Sequence, residues 1–443
     1  MALLVAGALF MEILDAMIIV PAIPAIAEDF GVAAVDVNVA ISAYLLTVAV
    51  LIPASGWVAD RCGIRPVFIS AIAVFTVASL GCGLSGSLST LVTMRVLQGV
   101  GGAMMVPVGR LAVLRYSAKS DLVRAIALLT WPALTAPVVA PVLGGAIATL
   151  GSWRWIFFVN IPIGIAGLLF ALKLIRGGPA KSVTPFDWRG QLLLGAAIAV
   201  ALVALEQIRV SGTNWILVGI GGGSAVGLLA AAILHLRRTP VPLVRLSVLR
   251  VRSLRITVSA GSLYRLVIAT VPFLLPLLFQ LEFGWSALSA GSMVAALFIG
   301  NLTIKPITTP LMRRFGIKRV LLINAIVSVA WFGVLAALQP GTPIAVIAAA
   351  LYVSGALRSV GFTAYNSLAF ADVDGDELTH ANTLNATVQE LASGIGIAVA
   401  ALLLTVLTSY AWTFLALGAL LALTLIETLR LPGDAGAHVS GNR

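Results

Sequence analysis

Gly56-Trp57-Val58-Ala59-Asp60-Arg61-Cys62-Gly63-Ile64-Arg65 is a short polar stretch between two long apolar runs, residues 37–59 and 67–84. A polar stretch so placed lies where a chain leaves a bilayer and re-enters it. Its two arginines assign it to the cytoplasmic side. The stretch returns 253 residues later as Thr309-Pro310-Leu311-Met312-Arg313-Arg314-Phe315-Gly316-Ile317-Lys318, matching at Arg61, Gly63, Ile64 and, by charge, Arg65. Such spacing is the mark of a duplicated half-protein. Arg313 stands where the first copy has Asp60, so a charge latch built on this turn is one-sided.

The totals agree with a bilayer as solvent. The chain has 443 residues, 60% of them apolar and 10% charged, whereas a soluble domain carries about 25% charged residues. A net charge of +11 would suggest nucleic acid in a soluble protein. Here, however, 22 of the 28 Lys and Arg fall in one set of alternate loops and tails, and only Arg154 and Arg209 in the other. That is the positive-inside asymmetry, and no nucleic-acid partner is implied. Cys62 and Cys82 are the only cysteines, which leaves neither a disulfide nor a metal framework. No Gly-Lys pair occurs, so a Walker A loop is excluded and the work is expected to draw on an ion gradient, without a cofactor.

Apolar runs long enough to span lie near 3–27, 37–59, 67–86, 88–114, 122–150 and 155–175, then 189–209 and 215–236, then 256–281, 286–311, 319–338, 343–371, 378–408 and 411–430. The first lacks the basic flank of a cleaved signal peptide and is taken as a span. The reading is therefore all-α with fourteen membrane helices, six, two and six. An N-terminal six-helix bundle covers 1–176, linkers and two inserted helices cover 177–252, a C-terminal six-helix bundle covers 253–431, and 432–443 is a polar tail. An even count puts both termini on one face, the cytoplasmic one. The expected setting is the inner membrane, with a monomer and a small-molecule substrate.

The pattern Gly, three residues, Asp-Arg, one residue, Gly, one residue, basic resembles the loop-2/3 signature of the major facilitator superfamily. Six plus six helices with two inserted resembles its fourteen-helix drug:proton antiporters of the EmrB/QacA type, over essentially the whole chain. Leu14-Asp15-Ala16-Met17-Ile18-Ile19-Val20-Pro21-Ala22-Ile23-Pro24 is similar to that family's first-helix signature, with Met17 and Val20 where Thr and Asn are usual. Leu91-Val92-Thr93-Met94-Arg95-Val96-Leu97-Gln98-Gly99-Val100-Gly101 resembles the fourth-helix motif, whose arginine is associated with proton transfer. Ala136 to Gly145 resembles the fifth-helix antiporter motif, with Pro141, Gly144 and Gly145 in place and alanines at two of its glycines. Trp153 to Gly164 matches the fourteen-helix branch. The resemblance implies two halves around a central cavity and proton-driven export of amphipathic compounds by alternating access.

Charges stranded in apolar runs mark the candidate sites. Glu12 and Asp15 lie three residues apart on one helical face, and each acid at bilayer depth costs roughly 2.5–3.5 kcal/mol on insertion scales. They read either as proton carriers or as structural partners of Arg95. A guanidinium stays protonated in proteins, so Arg95 is assigned to coupling, holding or releasing a carboxylate. In the second half Arg265, Lys305 and Arg358 face a single matching acid, Glu390. This set reads as an anion or carboxylate site, or as inter-helix salt bridges. Tyr264, Gln280, Asn301, Tyr365 and Asn366 are its candidate polar neighbours. Gly56, Asp60, Arg61, Gly63, Arg65, Arg313 and Arg314 are the candidate gate residues, with Asp60 and the Arg61/Arg65 pair expected to bridge the halves. The acids between Asp372 and Glu377 read as a solvated loop, because Gly375 is misplaced for an EF-hand. An enzyme is not expected: neither His-Glu-x-x-His nor an intramembrane Gly-x-Gly-Asp occurs. The function expected is export of amphipathic small molecules or drugs; the alternative is export of organic anions through a cationic C-terminal half.

Overall fold

The computed structural model describes residues 1–32, 34–117, 121–175, 185–207, 215–285 and 287–432. Arg209, most of the 176–188 linker and most of the tail lie outside the described residues. Among the described residues there are helices and no strands. They run α1 (Ala2–Phe30), α2 (Val39–Cys62), α3 (Ile64–Gly83), α4 (Leu88–Tyr116), α5 (Leu122–Leu150) and α6 (Trp155–Leu174). Two follow as a hairpin, α7 (Trp188–Gln207) and α8 (Trp215–Arg238). The rest are α9 (Arg252–Glu282), α10 (Ser289–Thr303 and Lys305–Phe315, bent by 46°), α11 (Ile317–Ala336), α12 (Ile344–Ala369), α13 (Leu378–Leu407) and α14 (Tyr410–Leu429).

Eleven of these are long and apolar enough to cross a membrane, or twelve with bent α10 counted as one span. The other two are α5, where several side chains are not described, and α7, whose apolar part Trp188–Ala204 is shorter. The expected count of fourteen is thus not reached by this measure. Large apolar side chains lie bare on the outside, Ile220, Val226, Leu281 and Val406 among them. Hydrocarbon rather than water is the medium that tolerates such a surface.

The polar stretch that opened the sequence is mostly not a loop. Ser55–Cys62 and Lys305–Phe315 are helical, and the reversal is confined to one residue in each copy, Gly63 at φ 86° and Gly316 at φ 78°. Only glycine enters that region without a steric penalty. The basic residue two positions on has the same task in both copies. Arg65 donates to the Leu172 carbonyl at the end of α6 (2.9 Å), and Lys318 to the Leu431 carbonyl just past α14 (2.5 Å). Each thus places positive charge on the unsatisfied carbonyls at the end of its half's sixth helix.

Packing repeats with the same offset. Helix α1 lies against α5 and α6, α2 against α4, and α3 against α4 and α6. Eight helices further on, α9 lies against α13 and α14, α10 against α12, and α11 against α12 and α14. Across the seam α2 and α4 meet α13, while α10 and α12 meet α5. The α7–α8 hairpin rests on α2 and α13 through α7. Close crossings depend on small residues: a side chain on Gly355 would run into the Leu297 carbonyl of α10, whereas Gly291 has open space around it. Gly355→Val should therefore lower stability by about 1–3 kcal/mol, the usual cost of overpacking, and Gly291→Val by much less, as read from thermal unfolding of the purified protein.

Candidate functional site

Asp15 and Arg95 meet in the N-terminal half with no exposed surface on either side chain. Arg95 Nη1 donates to Asp15 Oδ2 at 2.5 Å and to Gln98 Oε1 at 2.8 Å. Asp15 Oδ1 accepts from Gln98 Nε2 (2.8 Å) and Asn160 Nδ2 (2.7 Å), and Gln98 also donates to Ser79 Oγ (2.7 Å). The guanidinium lies over the Tyr44 ring, 4.3 Å from its centroid. Helices α1, α2, α3, α4 and α6 each supply a member of this cage. Such a pair is expensive to bury and more expensive to break from one side, because the survivor is an uncompensated charge. Asp15 is thus the ion-pair partner of Arg95, with neither side chain exposed.

Glu12, one turn earlier, has a different fate. Its Oε2 is buried with no hydrogen-bond partner, and so is the Tyr44 hydroxyl. Both groups lie against Gly102 of α4. Glu12 is in electrostatic reach of Arg110 and, across the seam, of Glu390. Arg110 also feels Arg265 and Glu390. Arg110 lies within α4, which runs to Tyr116, and was given no role in the sequence reading. It lines a narrow cleft between the halves with Leu9, Ile126, Asn366 and Phe370.

On the C-terminal side Arg265 donates to Ser393 Oγ (2.8 Å) and Gln389 Oε1 (3.3 Å), and its Nη2 is 3.9 Å from Glu390 Oε1. The Glu390 side chain is 51% exposed. Gln389 Nε2 donates to Asn366 Oδ1 at 3.0 Å, joining α12 to this group. The three bases do not converge. Lys305 Nζ donates to Thr363 Oγ1 (2.6 Å), and Arg358 Nη1 to the Ile268 carbonyl (3.3 Å) beside a small cavity with Tyr264 and Ser328. Tyr264 donates to the Leu357 carbonyl and Tyr365 bonds Thr428, so both tie helices together inside the half. Asn301 is buried at the α10–α12 crossing with Oδ1 unpartnered, and Gln280 is exposed near the end of α9. A helix can bury a base wherever a hydroxyl or a free carbonyl is at hand, and that local supply disperses the three.

The turn-face seam is closed. Asp60 Oδ1 accepts from Arg115 Nη2 (2.7 Å) and from Thr379 Oγ1 of α13 (3.1 Å), and Arg115 also donates to Thr379 (2.5 Å). Asn382 Nδ2 donates to the Pro107 carbonyl across the same seam (3.0 Å). A side chain on Gly56 would collide with Thr383 and Thr379. Asp60 thus reaches the other half through Thr379, with Arg115 of its own half as ion-pair partner, whereas Arg61 and Arg65, expected to bridge the halves with it, have other contacts. Arg61 is exposed over Trp57, 5.2 Å from the ring, and Arg65 is committed to α6. Arg313 and Arg314 are exposed, the latter over Phe315. In α5, Gly144 lies against the Ile18 carbonyl of α1; the side chains of Pro141 and Gly145 lie outside the described residues.

Behind the gate, Asp187 pins the base of the hairpin. It accepts from the amides of Gly190 (2.8 Å) and Leu243 (3.2 Å) and meets His235 Nε2 at 2.8 Å, while Phe186 packs edge-on against Trp57. Burial pushes the Asp187 carboxyl up, and the bonds from His235 and the two amides outweigh it, leaving the group below the ordinary carboxylate value.

Several members of these sites were not singled out in the sequence: Gln98 and Asn160 lay inside quoted motifs but without a role, and Tyr44, Ser79, Arg110 and Gln389 carried no motif signal. Trp153, at the head of the motif that matches the fourteen-helix branch, is 4% exposed, with its ring against Phe30 and its Nε1 donating to Asp29, whereas Trp155 is 59% exposed.

A family model described as Major Facilitator Superfamily matches residues 5–397 and 257–438. The chain is 33% identical over 459 residues to MdtD of Escherichia coli O6:H1, a multidrug resistance protein by name, covering 99% of this chain and 96% of that one. MdtD of Shigella flexneri serotype 5b matches to the same extent. Among solved structures, the human organic anion transporter MFSD10 superposes with a TM-score of 0.69 at 16% identity, over 96% of this chain and 98% of that one. The proton:xylose symporter XylE superposes at 0.68 and 15%, over 98% and 95%.

Two outcomes test the geometry. Asp15→Ala should cost about 3–5 kcal/mol of stability, and Asp15→Ala with Arg95→Met distinctly less, because the double variant leaves no orphaned charge; thermal unfolding of the three proteins decides it. Because the folded value of Asp187 is depressed, its contribution is full above the unfolded pKa of about 4 and fades as pH falls through the folded value. The gap in unfolding temperature between wild type and Asp187→Asn should be widest near neutral pH and close in acid.

Proposed function

The chain belongs to the major facilitator superfamily, and from that premise we propose that it exports amphipathic small molecules or drugs from the cytoplasm in exchange for protons. It is a multi-pass membrane transporter and not an enzyme. The finer reading places fourteen spans in the cytoplasmic membrane, with both termini and the Gly56–Arg65 face on the cytoplasmic side and a monomer as the working unit. Its two six-helix halves, 1–176 and 253–431, rock about the substrate. The basic residues of the turn face support that orientation, and the repeated packing of α1–α6 in α9–α14 supports the two halves.

The observation that carries the mechanism is Glu12, an acid at the seam with a buried oxygen that no donor reaches. A carboxylate so placed has a vacancy that either a proton or a cationic group fills. With the turn-face seam held by Asp60, Arg115 and Thr379, the vacancy is served from the opposite face. Protons entering there occupy Glu12 and Glu390. Breaking the Asp60 bridge lets the halves part on the cytoplasmic side, where the protons leave and substrate takes their place. Asp15 and Arg95 couple to this by holding α1 in register, and the cage opens only if α1 shifts against α4. The α5 glycine at 144 lets α5 slide close along α1. The alternative, export of organic anions through a cationic C-terminal half, draws support from Arg358 beside its small cavity, but Lys305 is spent on Thr363.

In proteoliposomes with an acidic lumen, ethidium should accumulate in wild type, and Glu12→Gln should reduce gradient-driven accumulation by about tenfold or more while gradient-free exchange persists. Equal gradient dependence in the two proteins would remove Glu12 from coupling. Gly56→Val should wedge the closed seam, so that a cysteine at Thr383 becomes reactive to a membrane-impermeant thiol reagent from the turn face; unchanged reactivity would show that the seam is not the gate.

A further inference from the structure

The offset of 253 that relates the two gate turns also carries Glu12 of α1 onto Arg265 of α9. The two halves thus put opposite charges at the same place on their first helices. Each charge is accompanied by a counter-charge from its own half, Arg110 on α4 and Glu390 on α13. Across the seam Glu12 is in electrostatic reach of Glu390, and Arg110 of Arg265 and Glu390. The pairings are loose: Arg265 and Glu390 stand 3.9 Å apart with half of the acid exposed, and Glu12 keeps Oε2 without a partner. Around them sit further buried groups with unused capacity, the Tyr44 hydroxyl beside Glu12 and Asn385 Nδ2 on the turn of α13 before Glu390. Tyr44 and Asn385 are each 2% exposed, so these orphans are held at a cost that a bound polar molecule would relieve.

From this arrangement we infer that the central site takes amphoteric molecules, carrying an ammonium and a carboxylate on one apolar body, in preference to simple cations or anions. The ammonium goes to Glu12 and Tyr44, and the carboxylate to Arg265 and the Gln389–Asn385 amides. A plain cation at Glu12 brings its charge toward Arg110, and a plain anion at Arg265 brings its charge toward Glu390. Only a dipolar solute lying across the seam matches a site whose unsatisfied acid and half-satisfied base belong to different halves. Such a solute also touches both halves at once, which exchange by rocking requires.

This inference rests on the exporter reading, and the test separates the two. Wild-type proteoliposomes loaded with a pH dye receive ethidium, then a piperazinyl-quinolone carboxylic acid, its methyl ester (a cation) and its N-acetyl derivative (an anion). Proton release should follow the amphoteric acid with an apparent affinity at least about tenfold above either derivative. In gradient-free exchange of the labelled acid, which does not depend on proton coupling, Glu12→Gln should erase its advantage over the anion, and Arg265→Gln its advantage over the cation. If the ester or the N-acetyl compound releases protons as well as the parent, the substrate class is wrong and the exporter reading stands. Release with ethidium but with none of the three sinks the class alone. Silence with all four probes sinks both.

Discussion

A bilayer supplies neither hydrogen bonds nor counter-charges, so each ionisable side chain drawn into it must be answered by the protein itself. The Asp15–Arg95 pair shows how far that requirement reaches. To hold one carboxylate and one guanidinium out of water, the chain brings Gln98, Asn160, Ser79 and the Tyr44 ring from four different helices to a single point. Those contacts fix the rotation of α1, α2, α3, α4 and α6 against one another. The rotation of α1 then decides that Glu12, one turn away, looks toward the seam instead.

The C-terminal half meets the same demand differently. Its bases are answered one at a time, Lys305 by a hydroxyl, Arg358 by a carbonyl and Arg265 by an amide, a hydroxyl and a distant acid. Only the last remains at the seam with capacity to spare. The pseudo-symmetry of the helices is therefore not a symmetry of charge. One half presents an unsatisfied acid and the other a half-satisfied base at equivalent positions, and this polarity across the seam gives a solute an orientation.

The two copies of the gate turn separate structural from functional duties in a similar way. Gly63 and Gly316 reverse the chain, and Arg65 and Lys318 tie down the last helix of their own halves. What is not repeated is the acid. Asp60 is bonded to Arg115 and Thr379, while an exposed base, Arg313, stands at the equivalent position of the second copy. The α7–α8 hairpin leans on the first copy, pinned at Asp187 and pressed to the gate through Phe186 and Trp57.

Membrane helices, a duplicated half and the family were legible in the linear chain because each is written in local composition or in a repeated spacing, and a run of apolar residues needs no partner to be recognised. Asp60 and the buried acids were legible for the same reason, since charge beside or within an apolar run is visible wherever it occurs. Which charge answers which was not. Asp60 is bonded to Arg115 and Thr379 while Arg61 and Arg65 turn elsewhere, Arg110 joins the seam without having been singled out, Asp15 and Glu12 parted company, and Lys305 has Thr363 as a partner of its own. Each depends on the rotation of one helix about its axis relative to another far away in sequence. That rotation is settled by the summed packing and hydrogen bonding of both helices, a quantity no single stretch of sequence contains.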